Sequence, residues 1–493
     1  TEKRYIMAQL AGRSLVSVDD LSIGDIEAIF KTADDFRTNM QAYFGIATGR
    51  IAATLFYEPS TRTRLSFEAA MQRLGGSVIS TWDVSASSVS KGESLADTIR
   101  VIGSYSDVVV LRHPWEGAAK LAAEYAPVPV INAGDGKREH PTQTLCDLYT
   151  LRERHGTLKG LRVALCGDLL NGRTIHSLTF ALARFGANVI FVPGDGKEIP
   201  DYVLRRLERD YHAHVQREQL GILSALFSDA PMGEEPATVD AIYVTPSEPH
   251  QLAMSSIEGT TVEFHLGSGE ALSIYVTRRQ KERGGYASGP QRYPTLTARA
   301  LETARFRDIS ILHPLPRVDE LSPEVDKDPR SLYFRQAALG VPVRMALLWH
   351  VLGLEKGPPA QREPYLPRVE GLRYSLPGFD CSNETCITNQ ERLFAHPQFQ
   401  VVKDLAYKLR CLYCDLETAA THVGNSQSHI YYSIELLDRI LPPILPEHIR
   451  FFQSSDAAES AGYRRVADNW DRYHPDTGKG RRSWLESASG RSQ

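Results

Sequence analysis

Ile51-Ala52-Ala53-Thr54-Leu55-Phe56-Tyr57-Glu58-Pro59-Ser60-Thr61-Arg62-Thr63-Arg64 begins as a short apolar run and ends as a cluster of hydroxyls around two arginines. The run has the length and continuous hydrophobicity of a buried strand. Pro59 breaks it, and a helical pattern from Ser66 to Leu74 follows, closed by Gly75-Gly76. Strand, turn and helix in this order form the α/β unit. Upstream, Ser22-Ile23-Gly24-Asp25 opens an amphipathic helix with a capping signal. Downstream, strands are expected at Ser77–Thr81, Val108–Leu111 and Val128–Asn132, with helices between them. A second alternating half starts at Leu161-Arg162-Val163-Ala164-Leu165-Cys166-Gly167-Asp168. It continues through a helix near Thr174 to Phe185 and strands at Ala187–Val192, Ala241–Thr245, Ser273–Thr277 and Ser310–Leu312. The expected fold class is α/β, with two doubly wound parallel-sheet domains joined by helices.

Composition narrows the field. The chain has 493 residues, 42% hydrophobic and 24% charged, with a formal net charge of -4. This length exceeds a single core, and the charge offers no bulk attraction for nucleic acid or membrane. No apolar run approaches the roughly 18 residues of a membrane span, and the first residues lead into no signal-like core, so a cytoplasmic protein is expected. Of six cysteines, Cys146 and Cys166 lie in apolar runs, whereas Cys381, Cys386, Cys411 and Cys414 cluster late. Two cysteine pairs with 24 residues between them read as two knuckles giving four thiolates, a closed structural zinc site. Disulfides and a nucleic-acid zinc ribbon are the competing readings.

The expected division is residues 1–150, 151–335, a returning helix at 336–356, a linker at 357–378 begun by Gly357-Pro358-Pro359, a small zinc-binding β domain at 379–420, and a tail of unassigned role at 421–493. Within the tail, Ile430–Leu441 reads as a helix. Ala241-Ile242-Tyr243-Val244-Thr245 nearly recurs as Ser273-Ile274-Tyr275-Val276-Thr277. This marks an insertion around 246–273, either a hairpin or an extra strand.

Ser60-Thr61-Arg62-Thr63-Arg64 at a strand-to-helix turn offers free backbone N–H groups, hydroxyls and guanidiniums, which is what a phosphate needs. The same local pattern also fits an ordinary helix cap with a surface arginine. No glycine-rich phosphate loop accompanies it.

Phe56-Tyr57-Glu58-Pro59-Ser60-Thr61-Arg62-Thr63-Arg64 resembles the carbamoyl-phosphate signature of the aspartate and ornithine carbamoyltransferases. Lys91-Gly92-Glu93-Ser94-Leu95-Ala96-Asp97-Thr98, Arg112-His113-Pro114, Asn132-Ala133-Gly134-Asp135-Gly136, His140-Pro141-Thr142-Gln143-Thr144-Leu145 and His313-Pro314-Leu315-Pro316-Arg317 follow in the family's order. The resemblance runs from about residue 5 to 355 and implies that residues 1–150 bind carbamoyl phosphate and residues 151–335 bind aspartate. By resemblance, Ser60, Thr61, Arg62 and Thr63 cradle phosphate, Arg112 bridges phosphate and carbonyl oxygen, and His140 donates to that oxygen. Gln143 and the backbone carbonyls of Pro314 and Leu315 hold the carbamoyl NH2. Arg62, Thr63, Arg112, His140 and Lys91 are the implied catalytic set. Ser87 and Lys91 lie on a polar loop that in this family reaches into a neighbouring subunit, which implies trimers with shared sites.

Aspartate rather than ornithine is implied by Thr277-Arg278-Arg279-Gln280, which resembles the family's aspartate loop. Arg278 and Gln280 are the matching contacts, with Lys91, Arg173 and Thr174. Ornithine enzymes typically carry cysteine where this chain has Pro314. Cys381-Ser382-Asn383-Glu384-Thr385-Cys386 and Cys411-Leu412-Tyr413-Cys414 resemble the zinc domain of the enzyme's separate regulatory chain. That implies a fused module, paired trimers, and no room before Cys381 for the nucleotide-effector domain. The expected activity is transfer of the carbamoyl group from carbamoyl phosphate to L-aspartate, the committed step of pyrimidine synthesis, with structural Zn2+ and no cofactor for catalysis. A carbamoyltransferase for another amino acid and a non-catalytic scaffold are the alternatives.

Overall fold

The computed structural model describes residues 10–81, 92–194, 196–211, 216–217, 238–245, 256–257, 261–263, 270–278, 294–302, 307–355, 363–365, 373–375, 379–403, 407–437 and 448–466. Ser87, Lys91, Gln280, most of the insertion, the 357–378 linker apart from 363–365 and 373–375, and the chain beyond 466 lie outside the described residues, as does the Arg173 side chain.

The first lobe begins with α1 (Ile23–Asn39), capped by Ser22, whose side chain accepts from the Asp25 N–H while Asp25 answers the Ser22 backbone. It continues through β1 (Ile51–Phe56), α2 (Thr61–Arg73), β2 (Ser77–Thr81), α3 (Leu95–Ser104), β3 (Val108–His113), α4 (Ala118–Tyr125), β4 (Val130–Asp135) and α5 (Pro141–His155). Its sheet runs β2-β1-β3-β4, every pair parallel. β3 and β4 are buried along their whole length, the mark of a sheet covered on both faces.

The second lobe contains β5 (Arg162–Gly167), α6 (Arg173–Arg184), β6 (Asn188–Pro193), α7 (Asp201–Tyr211), β7 (Gln216–Arg217), β8 (Thr238–Val244), β9 (Ser256–Ile257), β10 (Thr261–Glu263), β11 (Glu270–Val276), β12 (Pro294–Thr295) and β13 (Ser310–Leu312). The main sheet is ordered β13-β11-β8-β5-β6-β7, and β12-β10-β9 form a small separate one. The two near-identical runs are neighbouring parallel strands of the main sheet, Tyr243 opposite Tyr275 and Val244 opposite Val276. The repeated run therefore supplies two adjacent strands of one sheet. Val239, Ile242, Val244, Ile274 and Val276 all enter one core, so each copy has the apolar content of a central strand and pairs as one.

Gly167 ends β5 with φ 97°, and a Cβ there would sit 2.1 Å from the Thr245 carbonyl oxygen. Only glycine lets β8 approach so closely. The returning helix α8 (Tyr333–Leu352) crosses back onto α1 and α2, tied by a 2.9 Å hydrogen bond between Thr32 Oγ1 and His350 Nε2.

The C-terminal module comprises β14 (Arg373–Ser375), β15 (Gln398–Lys403), β16 (Tyr407–Cys411) and β17 (Glu417–Ala419), one antiparallel sheet. A second sheet follows: β18 (His422–Asn425), β19 (Ile430–Ser433), β20 (Ile449–Phe452) and β21 (Arg464–Arg465), in the order β20-β18-β19-β21. This corrects the expectation of a helix at Ile430–Leu441. Ile430–Ser433 is a strand paired with β18, and Ile434–Leu436 is a single 3-10 turn. The run Ile430-Tyr431-Tyr432 favours a pleated, half-buried surface. The apolar residues at 430, 434 and 437 imitate helical spacing only because strand and turn follow each other directly.

The module sits on the first lobe. Ala118, Leu121 and Ala122 of α4 share one hydrophobic core with Phe379, Ile387, Phe399, Tyr413, Val423 and Phe451. Gly117, φ 83°, leaves room for Tyr413, whose Cβ would lie 2.7 Å from a Cβ placed there. Glu116 N–H donates to the Thr385 carbonyl at 3.2 Å, and Ile387 N–H returns to the Glu116 carbonyl at 2.9 Å. Lys120 Nζ lies 3.8 Å from the Tyr413 ring centroid, and Arg138 Nε bonds Asp415 at 2.7 Å. A salt bridge from Arg205 of α7 to Glu417 joins the same module to the second lobe. No helix among the described residues is long and apolar enough to cross a membrane.

Candidate active site and metal centre

A cavity of about 360 Å³ opens between the lobes. Its first wall is the N-terminus of α2. Ser60 is the N-cap residue, but its side chain bonds no backbone N–H. It donates instead to Thr63 Oγ1 at 3.0 Å. The first-turn N–H groups lack intrahelical acceptors and, with the helix dipole, favour an anion. Ser60, Thr61, Arg62 and Thr63 all line the cavity.

Arg112, at the end of β3 and 7% exposed, enters from the neighbouring strand, held by Glu58 at 3.1 Å. Arg278, just past β11, enters from the second lobe. Burial, and then the positive charges of Arg278 and Arg112, lower the pKa of Arg62. Three guanidiniums that repel one another at one helix N-terminus make a site for a strongly anionic ligand.

His140 is the N-cap of α5, 5% exposed, with Pro141 at the first helical position. Its Nδ1 lies 3.3 Å from Thr142 Oγ1, and its backbone N–H reaches Ser177 of α6 at 3.4 Å. Gln143 follows on the same helix. Pro314 and Leu315 come from the turn after β13. Leu315 has φ 55°, in the left-handed region, and is held there by a 2.8 Å bond from its N–H to His313 Nδ1. A backbone N–H can only donate, so Nδ1 carries no proton, and Nε2–H donates to Glu320 at 2.7 Å. Burial lowers the pKa of His313, consistent with this neutral imidazole.

Of the residues singled out from sequence, Ser60, Thr61, Arg62, Thr63, Arg112, His140, Gln143, Thr174, Arg278, Pro314 and Leu315 meet in one cavity. The backbone of Arg173 opens α6 beside it. The cavity also takes Asn171, Tyr243, Thr245, Gln336 and Arg344, which sequence reading did not pick out. Tyr243 lies on β8 and Thr245 just past it, and Gln336 and Arg344 lie on α8. None sits in a motif with its partners, so only the folded chain reveals them.

The four clustered cysteines form a separate centre. Cys381, Cys386, Cys411 and Cys414 are buried, with their sulfurs all within 4.8 Å of one another. Cys381 and Cys414 are 3.4 Å apart, and Cys386 and Cys411 are 3.9 Å apart. These separations are far beyond the ~2.05 Å of a disulfide and match the ~3.8 Å edge of a tetrahedron with ~2.3 Å metal–sulfur bonds. The donor set fits zinc.

Comparison with known proteins gives a consistent picture. Residues 13–153 match the family model for the carbamoyl-P binding domain of aspartate/ornithine carbamoyltransferase, and residues 279–351 match its Asp/Orn binding domain. Residues 367–423 match the metal binding domain of the aspartate carbamoyltransferase regulatory chain. The chain is 44% identical over 353 residues to the aspartate carbamoyltransferase catalytic subunit of Thermococcus onnurineus, which covers 70% of this chain and 99% of the relative. It is 43% identical to that of Thermoplasma acidophilum over 351 residues, with the same shares covered. Among solved structures, the catalytic subunit of M. jannaschii aspartate transcarbamoylase is similar at 38% identity and a TM-score of 0.53, covering 70% of this chain and 100% of the other. Aspartate transcarbamoylase from Trypanosoma cruzi, in complex with aspartate and phosphate, is similar at 36% identity and a TM-score of 0.53, covering 70% and 97%.

Proposed function

Because the chain belongs to the aspartate carbamoyltransferase family, with a fused metal-binding domain of the family's regulatory chain, we propose that it transfers the carbamoyl group of carbamoyl phosphate to L-aspartate. The observation that carries this reading is the meeting of Arg62, Arg112 and Arg278 around the N-terminus of α2, in a cavity that spans both lobes.

In this reading the phosphate rests on the first turn of α2, among Ser60, Thr61, Arg62 and Thr63. Arg112 bridges phosphate and carbonyl oxygen, its planar fork suited to two oxyanion contacts. His140 donates to the same oxygen; Nδ1 accepting a hydrogen bond from the Thr142 hydroxyl leaves Nε2–H for that role. Gln143 and the carbonyls of Pro314 and Leu315 hold the carbamoyl NH2. Arg278, Gln280, Arg173, Thr174 and Lys91 hold the two carboxylates of aspartate. The amine attacks the carbonyl carbon, and the C–O bond to phosphate breaks. The departing phosphate, itself a base, takes the amine proton, giving N-carbamoyl-L-aspartate and phosphate. Fixed cations stabilise the oxyanion as it develops.

We further propose that Cys381, Cys386, Cys411 and Cys414 hold a structural Zn2+ and that catalysis uses no cofactor. The protein is cytoplasmic in this reading, which suits four cysteines gathered as metal ligands and two held as buried thiols. Catalytic chains form trimers in which Ser87 and Lys91 complete the neighbour's site, and the zinc modules pair those trimers.

The test is phosphate release from carbamoyl phosphate with aspartate or ornithine as acceptor, for wild type and Arg278→Ala. Release driven by aspartate alone, with kcat/KM reduced at least ~100-fold in the variant, supports the reading. Equal rates in wild type and variant would refute it.

A further inference from the structure

Behind the cavity wall, one carboxylate gathers three of the elements that build it. Asp147 lies one turn after Gln143 on α5, 1% exposed. Its Oδ1 accepts from Gln143 Nε2 at 2.9 Å, from the Tyr275 hydroxyl at 2.9 Å and from Gln336 Nε2 at 3.3 Å. Its Oδ2 is buried and makes no hydrogen bond among the described residues. The three donors come from α5, β11 and α8, and each reaches the cavity by its own route. Gln143 lines it. Tyr275 lies three residues before Arg278 and stacks on Tyr243 of the neighbouring strand β8, ring centroids 3.9 Å apart. Gln336 accepts the His313 N–H through Oε1 at 3.0 Å, fixing the start of the turn that carries Pro314 and Leu315.

We propose that Asp147 is a positioning residue for carbamoyl transfer, turning the Gln143 amide so that its oxygen faces the carbamoyl group while tying that amide to the strand of Arg278 and the turn of Pro314 and Leu315. The inference rests on the carbamoyl-transfer reading above.

The argument is one of direction. A carboxylate only accepts hydrogen bonds, so the end of the Gln143 amide that meets it is the NH2. The amide oxygen is then the atom left for the cavity. A carbamoyl NH2 only donates, and it needs acceptors around it. Gln143 supplies one such oxygen, and the carbonyls after His313 supply the others. One carboxylate oxygen thus sets the orientation of the first directly and supports the others through Gln336. Burial pushes the Asp147 pKa up to about 7 against the opposing pull of its three donors and Arg344. A buried, half-satisfied carboxylate costs stability, and its return is the alignment of three substrate-facing elements.

The experiment compares binding of phosphonoacetamide, a stable ligand bearing both amide and phosphonate, with binding of inorganic phosphate, using full-length metal-loaded protein. Wild type is expected to prefer phosphonoacetamide. In Asp147→Asn, phosphonoacetamide affinity should fall about tenfold or more, with phosphate affinity held within ~2-fold, because the α2 cradle does not touch Asp147. In a Gln143→Ala background, Asp147→Asn should add less than ~2-fold. Tyr275→Phe keeps the stacked ring, removes one donor, and should give a smaller loss confined to phosphonoacetamide; it serves if Asp147→Asn does not fold. Parallel losses for both ligands, or additive losses in the double variant, would mark Asp147 as merely structural and overturn the proposal. A wild type that does not distinguish the ligands would overturn the carbamoyl-transfer reading together with it.

Discussion

Single side chains here are tuned by burial as much as by partners. His113, at the end of β3, is 4% exposed, accepts the Trp115 N–H on Nδ1 at 3.1 Å and lies between the Tyr57 and Trp115 rings. Burial pushes its pKa down to about 3, opposed by the Glu58 charge. The folded state therefore holds it neutral, whereas the unfolded chain protonates it near 6.5. Its contribution is complete above that pH and is lost as pH falls toward 3, at about 1.4 kcal/mol per unit. Urea unfolding at pH 7 and pH 5 should differ by ~2 kcal/mol more in wild type than in His113→Gln; an equal difference in both proteins would refute this assignment. The cavity residues at the start of α2 were legible in the sequence because Ser60 to Thr63 are contiguous and chemically specific. Asp147, Gln336 and Tyr275 were not, since three elements distant along the chain converge on one carboxylate.

At the level of elements, the metal module is the part most dependent on what binds it. Its core is continuous with α4 through Tyr413, which lies between Cys411 and Cys414. Four thiolates without a cation repel one another, and small sites of this kind fold with their metal. Chelation, with metal loss verified by elemental analysis, should therefore make 379–437 the first region cut in limited proteolysis mapped by mass. Unchanged resistance after proven removal would show that the shared core alone holds the module. Strands of the α/β lobes were readable as apolar runs between turn signals. The β19 region was not, because its apolar spacing suits a helix until β18 and β20 flank it. The doubled strand was visible as a repeat, but its seat between β5 and β13 depends on pairing that no local pattern encodes.

For the whole molecule, the decisive question is whether one chain completes its own site. Lys91 lies outside the described residues, and shared sites make a direct forecast. Lys91→Ala and Arg278→Ala proteins, each inactive, should regain phosphate release when dissociated together and reassociated, because some sites in mixed trimers then carry neither lesion. No recovery in proven hybrids would mean that each chain serves itself.

The seating of the metal-binding module on its own lobe has a further consequence. A domain tethered to its docking face meets it at an effective concentration fixed by the tether. Dilution lowers the concentration of chains but not that local value, so a scarce or newly made enzyme keeps its module where a detachable subunit would drift away. Stoichiometry is likewise settled by translation, one module for every catalytic chain, with no need to match the synthesis of two products.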